Sequence, residues 1–493
     1  MHMPRDMNQT DARQDARGSL IVGVLLSLLA ALPFLVAGRP QLTDYPSHLA
    51  RYHIMLDGGR SPWLARYYEF DWMFTGNLGA DLLMSGLGRI LPLETAGWLV
   101  GLMIPVLTGL GIVAVMRALG RPIGFGPLLA FATIWSPAMG MGFYNFTLSL
   151  ALALLAFALW IRLEGKRWRW ALFVPVGLGI WLCHISGWGA LGILVFGYEW
   201  HRRKDWRAFA APWPLFFAVI PQLLAEGTKG GLSFGPNVAS YKFRIWLQAM
   251  RDQSMLFDVA TLAILCGVIL LALAWRRIDG RLGWAALIFA ALSIVMPRHF
   301  GGGDYADYRL IAIALMIGCM AVQYRAAGRG RGVLLALAAG LFLTRLAVTA
   351  GAWHASDRQA GAMLTVLDRL PEGARVAGAV LLPRKGWALN PFEHLPSYAT
   401  VRKDALVNTH FAIPGVHMLR LKQGGPEFAD PSHRVFHRRG ERIDLSRFAP
   451  ARQADYLWYV GRPRPDAVPA GARIVARVPG SLLLRLANRP APR

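Results

Sequence analysis

The sequence predicts an α-helical polytopic membrane protein with about eleven transmembrane helices and a small C-terminal α/β domain. Of its 493 residues, 55% are hydrophobic and only 17% are charged, which is too apolar for a surface that faces water. Hydrophobic runs recur between residues 19 and 354, at lengths that approach a bilayer crossing. After residue 355 the sequence becomes rich in Pro, Gly, His and basic residues, as is typical of a soluble domain.

The transmembrane domain is predicted to cover residues 19–355. A span needs about twenty apolar residues. The first run indicates a retained signal anchor, because Leu35 breaks the small-residue cleavage pattern. His184 divides an almost continuous apolar stretch in two. The predicted spans are 19–37, 94–116, 122–139, 143–161, 171–184, 185–200, 208–226, 254–275, 282–297, 309–324 and 332–354.

Basic residues fall on every second connection between these spans. They lie in 117–121, 162–169, 202–207, 276–281 and 325–331. Short cytoplasmic loops carry an excess of Lys and Arg, so these loops and segment 1–18 are predicted to be cytoplasmic. With eleven spans, the C-terminal domain at 356–493 is periplasmic, which predicts a bacterial inner membrane protein. Because the net charge of +24 is spread over these loops, no nucleic-acid surface is predicted.

The first outer loop, residues 38–93, is predicted to carry two interfacial helices. The first begins at Thr43 or Asp44 and has Pro46 in its first turn. The second runs from Asn77 to Leu91 and shows a broad apolar stripe. Both are expected to rest on the outer surface of the membrane.

The C-terminal domain shows the alternation of strands and helices expected of a small α/β fold. Residues 356–370 resemble a helix, and 375–382 and 456–460 resemble strands. Residues 473–478 and 481–486 predict a hairpin with a Pro-Gly turn.

Asp44 is the first candidate for chemistry. A carboxylate just beyond the first span could act as the general base that deprotonates an acceptor hydroxyl. The alternative is that Asp44 only caps the helix. His48 lies one turn further on the same face, where it could orient Asp44 or bind substrate, or could be an interfacial histidine with no such role.

Four further residues are predicted to bind substrate. His184 lies where two spans meet and Arg345 lies within a span, where an ionisable group is costly enough to indicate function. Asp307 and Arg309 follow a glycine-rich loop, and a planar guanidinium suits a lipid-linked phosphate. The alternatives are a snorkelling histidine, interfacial anchoring by Arg309, and a local ion pair between Asp307 and Arg309.

Other patterns carry little weight. His433 and His437 have the i,i+4 spacing of metal ligands. Three arginines flank them, which predicts a solvated surface, and no metal site is predicted. Asn145-Phe-Thr matches a glycosylation sequon but adjoins a span. The three cysteines lie in apolar stretches and predict no disulfide.

Two short segments and the layout of the chain carry a family resemblance. The first segment is Thr43-Asp-Tyr-Pro-Ser-His48, directly after the first span. The second is Met141-Gly-Phe-Tyr-Asn-Phe-Thr-Leu-Ser-Leu150. With the long first outer loop and the outer C-terminal domain, they resemble the GT-C superfamily of membrane glycosyltransferases. That superfamily includes protein O-mannosyltransferases and aminoarabinose transferases.

By this resemblance, Asp44 is the catalytic aspartate of the first loop and the donor is a polyprenyl-phosphate-linked sugar. Transfer would take place on the outer face, to an envelope glycan, a lipid or a protein. Several members carry adjacent acidic residues here, whereas Tyr45 follows Asp44. The next acidic residues of the loop are Asp57, Glu69 and Asp71. This departure puts a catalytic divalent metal in doubt, so the metal stays an open alternative and no definite cofactor is predicted.

The resemblance implies direct displacement with inversion at the anomeric carbon. Asp44 would deprotonate the acceptor, and Arg309 or Arg345 would hold the charge of the leaving lipid phosphate. A multi-span transporter or lipid flippase is the main alternative and predicts an inverted repeat or a binding site at the midplane. A non-catalytic scaffold of an envelope polysaccharide assembly would leave Asp44 dispensable.

Reporter fusions test the predicted orientation. Alkaline phosphatase folds into an active enzyme only outside the cytoplasm. It should be inactive when fused within 162–169 or 201–207, because those loops are basic. It should be active when fused near Trp387 or Trp458. Activity at 162–169, or none near Trp458, would contradict the topology.

Overall fold

The computed structural model describes residues 5–225, 231–301, 303–324, 328–429 and 432–487, with the backbone alone for 5–16. Most of the described chain is helical. The α-helices are α1 Arg5–Leu29, α2 Leu32–Val36, α3 Tyr45–Asp57, α4 Pro62–Tyr67, α5 Gly79–Leu87, α6 Leu93–Ala118, α7 Phe125–Phe131, α8 Pro137–Met141, α9 Tyr144–Arg162, α10 Arg169–Cys183, α11 Ile185–Arg203, α12 Arg207–Ala210, α13 Val219–Leu224, α14 Val238–Leu247, α15 Met255–Ala274, α16 Gly280–Val295, α17 Ala306–Ala321, α18 Gly328–Leu364 and α19 Tyr398–Lys403.

Four described helical segments are long and apolar enough to cross a membrane: Leu93–Ala118, Tyr144–Arg162, Met255–Ala274 and Gly328–Arg369. Shorter apolar helices cover Arg17–Leu29, Arg169–Cys183, Trp213–Leu224 and Gly280–Val295. These helices support an integral membrane protein. They do not confirm the predicted count of about eleven spans.

Three of the predicted spans are broken rather than continuous helices. The run 19–37 is divided between α1 and α2, and 122–139 is divided between α7 and α8. The described part of 208–226 consists of α12, a 3-10 helix at Trp213–Ala218 and α13. Proline explains the breaks, since Pro33, Pro137 and Pro214 lie at or near the start of the second segment in each case. Proline cannot donate the helical hydrogen bond, and hydropathy does not detect this.

The long helices pack closely through small residues. Helix α11 packs on α9 and α16, α6 packs on α9, and α16 packs on α17. At the α11–α9 contact, a Cβ added to Gly187 would lie 2.4 Å from the Cβ of Ser149. Such small pairs allow two backbones to approach where lipid offers no hydrophobic driving force.

The C-terminal region forms a six-stranded mixed sheet with the order β3-β2-β6-β8-β7, and β5 pairs with the far end of β2. Strand β2 is parallel to β3, β5 and β6, while β8 is antiparallel to β6 and β7. The predicted strands and hairpin correspond to β2, β6, β7 and β8. The eight strands within the described ranges are β1 Tyr68–Phe70, β2 Arg375–Pro383, β3 Leu406–Val407, β4 Leu419–Leu421, β5 Arg434–His437, β6 Tyr456–Val460, β7 Arg473–Val478 and β8 Ser481–Arg485.

The first outer loop is joined to this sheet region. Strand β1 of the loop pairs antiparallel with β4, with Tyr68 opposite Leu421. The hydroxyl of Tyr68 donates to the carbonyl of Ala405 at 3.0 Å and accepts from the amide of Val407 at 3.0 Å. Eight of the thirteen residues of α3 are buried, and α3 packs on α6 and α5 on one side and on α19 on the other. Helix α3 is therefore enclosed between the helical region and the sheet region.

Candidate functional site

The backbone of Asp44 is fixed by the turn that follows α8. The amide of Thr43 donates to the carbonyl of Gly140 at 3.2 Å, and the amide of Asp44 donates to that of Met141 at 2.9 Å. Gly142 has φ +91, a left-handed conformation, and a Cβ there would lie 3.6 Å from the Cβ of Asp44. Glycine is therefore favoured at this turn by its backbone conformation, while the distance to Asp44 is an ordinary packing contact.

The side chain of Asp44 does not cap α3. Asp44 is the N-cap residue, but its side chain makes no capping hydrogen bond. Its carboxylate is 16% exposed, and Oδ1 lies 3.8 Å from Nε2 of His394 in the sheet region. The capping alternative therefore does not account for this aspartate.

His394 presents a lone pair to that carboxylate. Its Nδ1 lies 2.7 Å from the carbonyl oxygen of Thr409, which can only accept, so Nδ1 carries the proton. Burial, opposed by that hydrogen bond, lowers the pKa of His394 to about 4, and the ring is neutral at pH 7. Nε2 is then an acceptor, and it has no hydrogen-bond partner in the described part of the chain. Two acceptors, Asp44 and His394, thus face each other.

The neighbourhood of Asp44 is rich in histidines. His48, which was predicted here, stacks at 6.4 Å from Tyr52, and its pKa is held well below the usual value, first by burial and then by Arg51. Burial also lowers the pKa of His410 to about 3 and of His417 to about 4. The prediction that His433 lies on a solvated surface is wrong: it is 0% exposed, and its ring lies 4.8 Å from that of His394.

Arg309 and His184 lie on the other side of the 140–143 turn. The guanidinium of Arg309 lies 4.3 Å from the ring of Phe143, and its charge interacts with that of Asp304 and, less strongly, with that of Asp44. Its Nη1 is 3.3 Å from Nε2 of His184, and its Nη2 donates to the carbonyl of Asp304 at 3.1 Å. No carboxylate lies within salt-bridge distance of Arg309 among the described residues.

The protonation of His184 makes this pair a donor site. The amide of Ser186 donates to Nδ1 of His184 at 3.0 Å, so the proton of the neutral ring is on Nε2. Nε2–H and the Nη1 group of Arg309 are then two donors that face each other. An acceptor between them, such as an anion, would satisfy both.

Asp307 and Arg345 are both engaged in buried ion pairs. Asp307 accepts from Lys242 at 2.5 Å and from the hydroxyl of Tyr241 at 3.1 Å, rather than pairing with Arg309. Arg345 and Asp258 are each 2% exposed and pair at 2.9 Å. The second guanidinium nitrogen of Arg345 donates to the carbonyl of Met250 at 2.9 Å.

Asn145 joins the start of α9 to residues 77–81 of the first outer loop. Its amide nitrogen donates to the backbone and side-chain oxygens of Asn77 at 2.7 and 3.0 Å and to Asp81 at 3.1 Å, and its oxygen accepts from the amide of Ala80. Asp81 also pairs with Arg51 of α3 at 2.7 Å. Asn145 is buried, so the sequon has a structural role at this position.

No acidic pair of the type carried by several GT-C members forms at Asp44 in the described residues. The side chain of Tyr45 is buried, with its hydroxyl 3.5 Å from the carbonyl oxygen of Glu94. The carboxylate of Asp57 accepts from the amide of Ser61, and Asp71 pairs with Arg420. The residues of the loop therefore do not fit a metal held by adjacent acids.

Comparison with solved structures identifies the architecture. The chain matches ArnT from Cupriavidus metallidurans, solved bound to undecaprenyl phosphate, with a TM-score of 0.53 and 13% identity over 97% of this chain and 100% of that one. The chain has the ArnT fold. The resemblance to GT-C membrane glycosyltransferases is thus confirmed at the level of the fold. No protein-family model matches the chain, and no curated protein sequence does.

Proposed function

We propose that this protein is a membrane glycosyltransferase that transfers a sugar from a polyprenyl-phosphate donor to an envelope glycan, lipid or protein. One observation carries the proposal: the 140–143 turn holds a carboxylate, Asp44, near two donor groups that face each other, Nη1 of Arg309 and Nε2 of His184. The ArnT structure, with the same fold, binds undecaprenyl phosphate. A base and an anion site side by side are what displacement of a lipid phosphate requires.

The phosphate of the donor binds between Arg309 and His184. Nη1 of Arg309 and Nε2 of His184 are both donors, and no acceptor lies between them among the described residues. The cavity beside Arg309 is lined mainly by apolar side chains, including Ile104, Pro105, Ile313 and Met316. Fixed donors in an apolar setting stabilise charge that develops on the leaving phosphate more strongly than water does. Arg345 is not assigned this role, because Asp258 and the carbonyl of Met250 already engage its guanidinium.

Asp44 removes the proton of the acceptor. The acceptor oxygen attacks the anomeric carbon, the bond from that carbon to the phosphate oxygen breaks, and the proton passes to Asp44. The polyprenyl phosphate leaves with its charge held by Arg309. A single displacement of this kind inverts the anomeric configuration. Asp44 is suited to the role because its side chain is partly exposed and is not used to cap α3.

Replacement of Asp44 by Asn tests the base. The change keeps the size of the side chain and the backbone contacts of residue 44, but an amide cannot accept the proton. We expect transfer to fall by about 10²–10⁴-fold. Mass spectrometry of envelope glycans and lipids should first identify a product that is missing from cells lacking the protein. Asp44→Asn, expressed at the wild-type level, should then fail to restore that product.

Asp57→Asn is the matched control, since Asp57 lies at the other end of α3 and, among the described residues, its carboxylate accepts only from the amide of Ser61. This variant should restore the product as wild type does. Full restoration by Asp44→Asn would remove the assignment of Asp44 as the base and would favour the transporter or scaffold alternatives.

The two arginines should respond differently to the same substitution. Arg309→Gln removes a charged donor from the phosphate site, so it should weaken binding of undecaprenyl phosphate by roughly 10- to 100-fold, the worth of a charged hydrogen bond. Its thermal stability should stay close to that of wild type. Arg345→Gln leaves Asp258 buried without its cation, and it should lower the free energy of unfolding by about 3–5 kcal/mol.

Lipid binding to the purified variants can be followed by tryptophan fluorescence, and stability by thermal unfolding in detergent. The reverse pattern, with Arg309→Gln binding the lipid normally and Arg345→Gln stable but deficient in binding, would assign the phosphate to Arg345 instead.

A further inference from the structure

A second cluster of ligand-type side chains lies in the sheet region, directly beside Asp44. Glu393 and His394 precede a 3-10 helix at Leu395–Ser397, and His433 precedes β5. One ligand atom from each of Glu393, His394 and His433 lies within 4.8 Å of the other two. Both histidines are 0% exposed, and the carboxylate of Glu393 is 17% exposed. The three side chains are therefore held together inside the protein rather than on a solvated surface.

The hydrogen bonds of His394 prepare it to bind a cation. Its Nδ1–H donates to the carbonyl of Thr409, which leaves the lone pair on Nε2. Metal-binding histidines usually donate their second nitrogen to a carbonyl or carboxylate in this way. The lone pair faces Oδ1 of Asp44 at 3.8 Å, and Nε2 has no other partner in the described ranges. A cation placed here would be attracted both by the lone pair of His394 and by the negative charge of Asp44.

The charge of the cluster is compatible with a dication. Asp44 and Glu393 contribute two negative charges, and Arg434, 2.8 Å from Glu393, contributes one positive charge, so these three groups carry a net charge of −1. That pair engages one carboxylate oxygen and leaves the other for a ligand bond. Two imidazole nitrogens with a carboxylate suit zinc and neighbouring transition metals, whereas magnesium and calcium prefer oxygen alone.

We propose that Glu393, His394 and His433 form a binding site for a transition-metal dication, zinc above all, with Asp44 at its edge. The ion would tie the segments around residues 393 and 433 to the loop that carries Asp44. It would thereby fix the position of that carboxylate relative to the sheet region. This site goes beyond the proposed transferase activity and does not depend on it, because the ligands can bind an ion whether or not Asp44 is a base.

Metal titration of the full-length protein, purified in detergent with a non-histidine tag and treated with chelator, tests the site. Zn²⁺ binding is measured by calorimetry, and Co²⁺ binding by the absorption bands that report its coordination. Wild type should bind one equivalent of each metal. His394→Ala and His433→Ala should weaken binding by more than about 100-fold, since even the loss of an outer hydrogen-bond partner costs 10–100-fold.

His437→Ala is the matched control, because His437 lies at the end of β5 and its Nε2 contacts only the carbonyl of Glu441 among the described residues. It should bind both metals as wild type does. If the alanine variants do not fold, Glu393→Gln decides the question, since it keeps the shape of the side chain and should still weaken binding. The proposal is overturned if wild type binds neither metal, or if the variants that fold bind as tightly as His437→Ala.

The same titration separates this proposal from the transferase proposal. Asp44→Asn should retain metal binding within a few-fold while it loses transfer, because three ligands remain. Loss of transfer with no metal binding in any variant, wild type included, would overturn the metal site and leave the base assignment intact.

Discussion

The site depends on the two backbone hydrogen bonds that join residues 43 and 44 to the turn at 140–142. They place Asp44 against a segment whose other side chains build the rest of the site. Phe143 supports Arg309, Asn145 holds the start of α5, and Phe146 packs against His184. The same turn therefore contacts both Asp44 and Arg309, the residues proposed as base and phosphate ligand.

The buried charged residues differ in whether an oppositely charged partner lies beside them, and this difference distinguishes the structural ion pairs from the candidate site residues. Lys242 and Asp307, Arg345 and Asp258, and Arg51 and Asp81 form buried pairs whose charges are compensated locally. Burial of an unpaired charge is costly, so these pairs are needed for folding. Two contacts bring groups of the same kind together. Arg309 and His184 are donors that face each other, and Asp44 and His394 are acceptors that face each other. An anion would accept from both members of the first pair, and a proton donor or a cation would interact with the second.

The candidate Asp44 and the main strands could be predicted from the sequence. The breaks in the spans and the partners of the buried charges could not, because they depend on proline or on residues far away in the sequence. The position of a carboxylate just after the first span made Asp44 a candidate. The predicted strands of the sheet region match β2, β6, β7 and β8 within one residue at each end. Hydropathy could not reveal that proline breaks three of the spans. Nor could it find the partners of Asp307 and Arg345, which lie 65 and 87 residues away. His394 and Asp44 are in contact although the whole helical region separates them in sequence. The only sequence feature related to this contact is the histidine-rich composition of the C-terminal domain.

The most direct test of the site is an electron cryo-microscopy structure of the full-length protein in lipid nanodiscs with undecaprenyl phosphate. The account predicts the phosphate between Arg309 and His184, with a phosphate oxygen about 2.7–2.9 Å from a guanidinium nitrogen of Arg309 and with Asp44 facing the same space. A phosphate bound next to Arg345, or one separated from Asp44 by a layer of packed side chains, would contradict it.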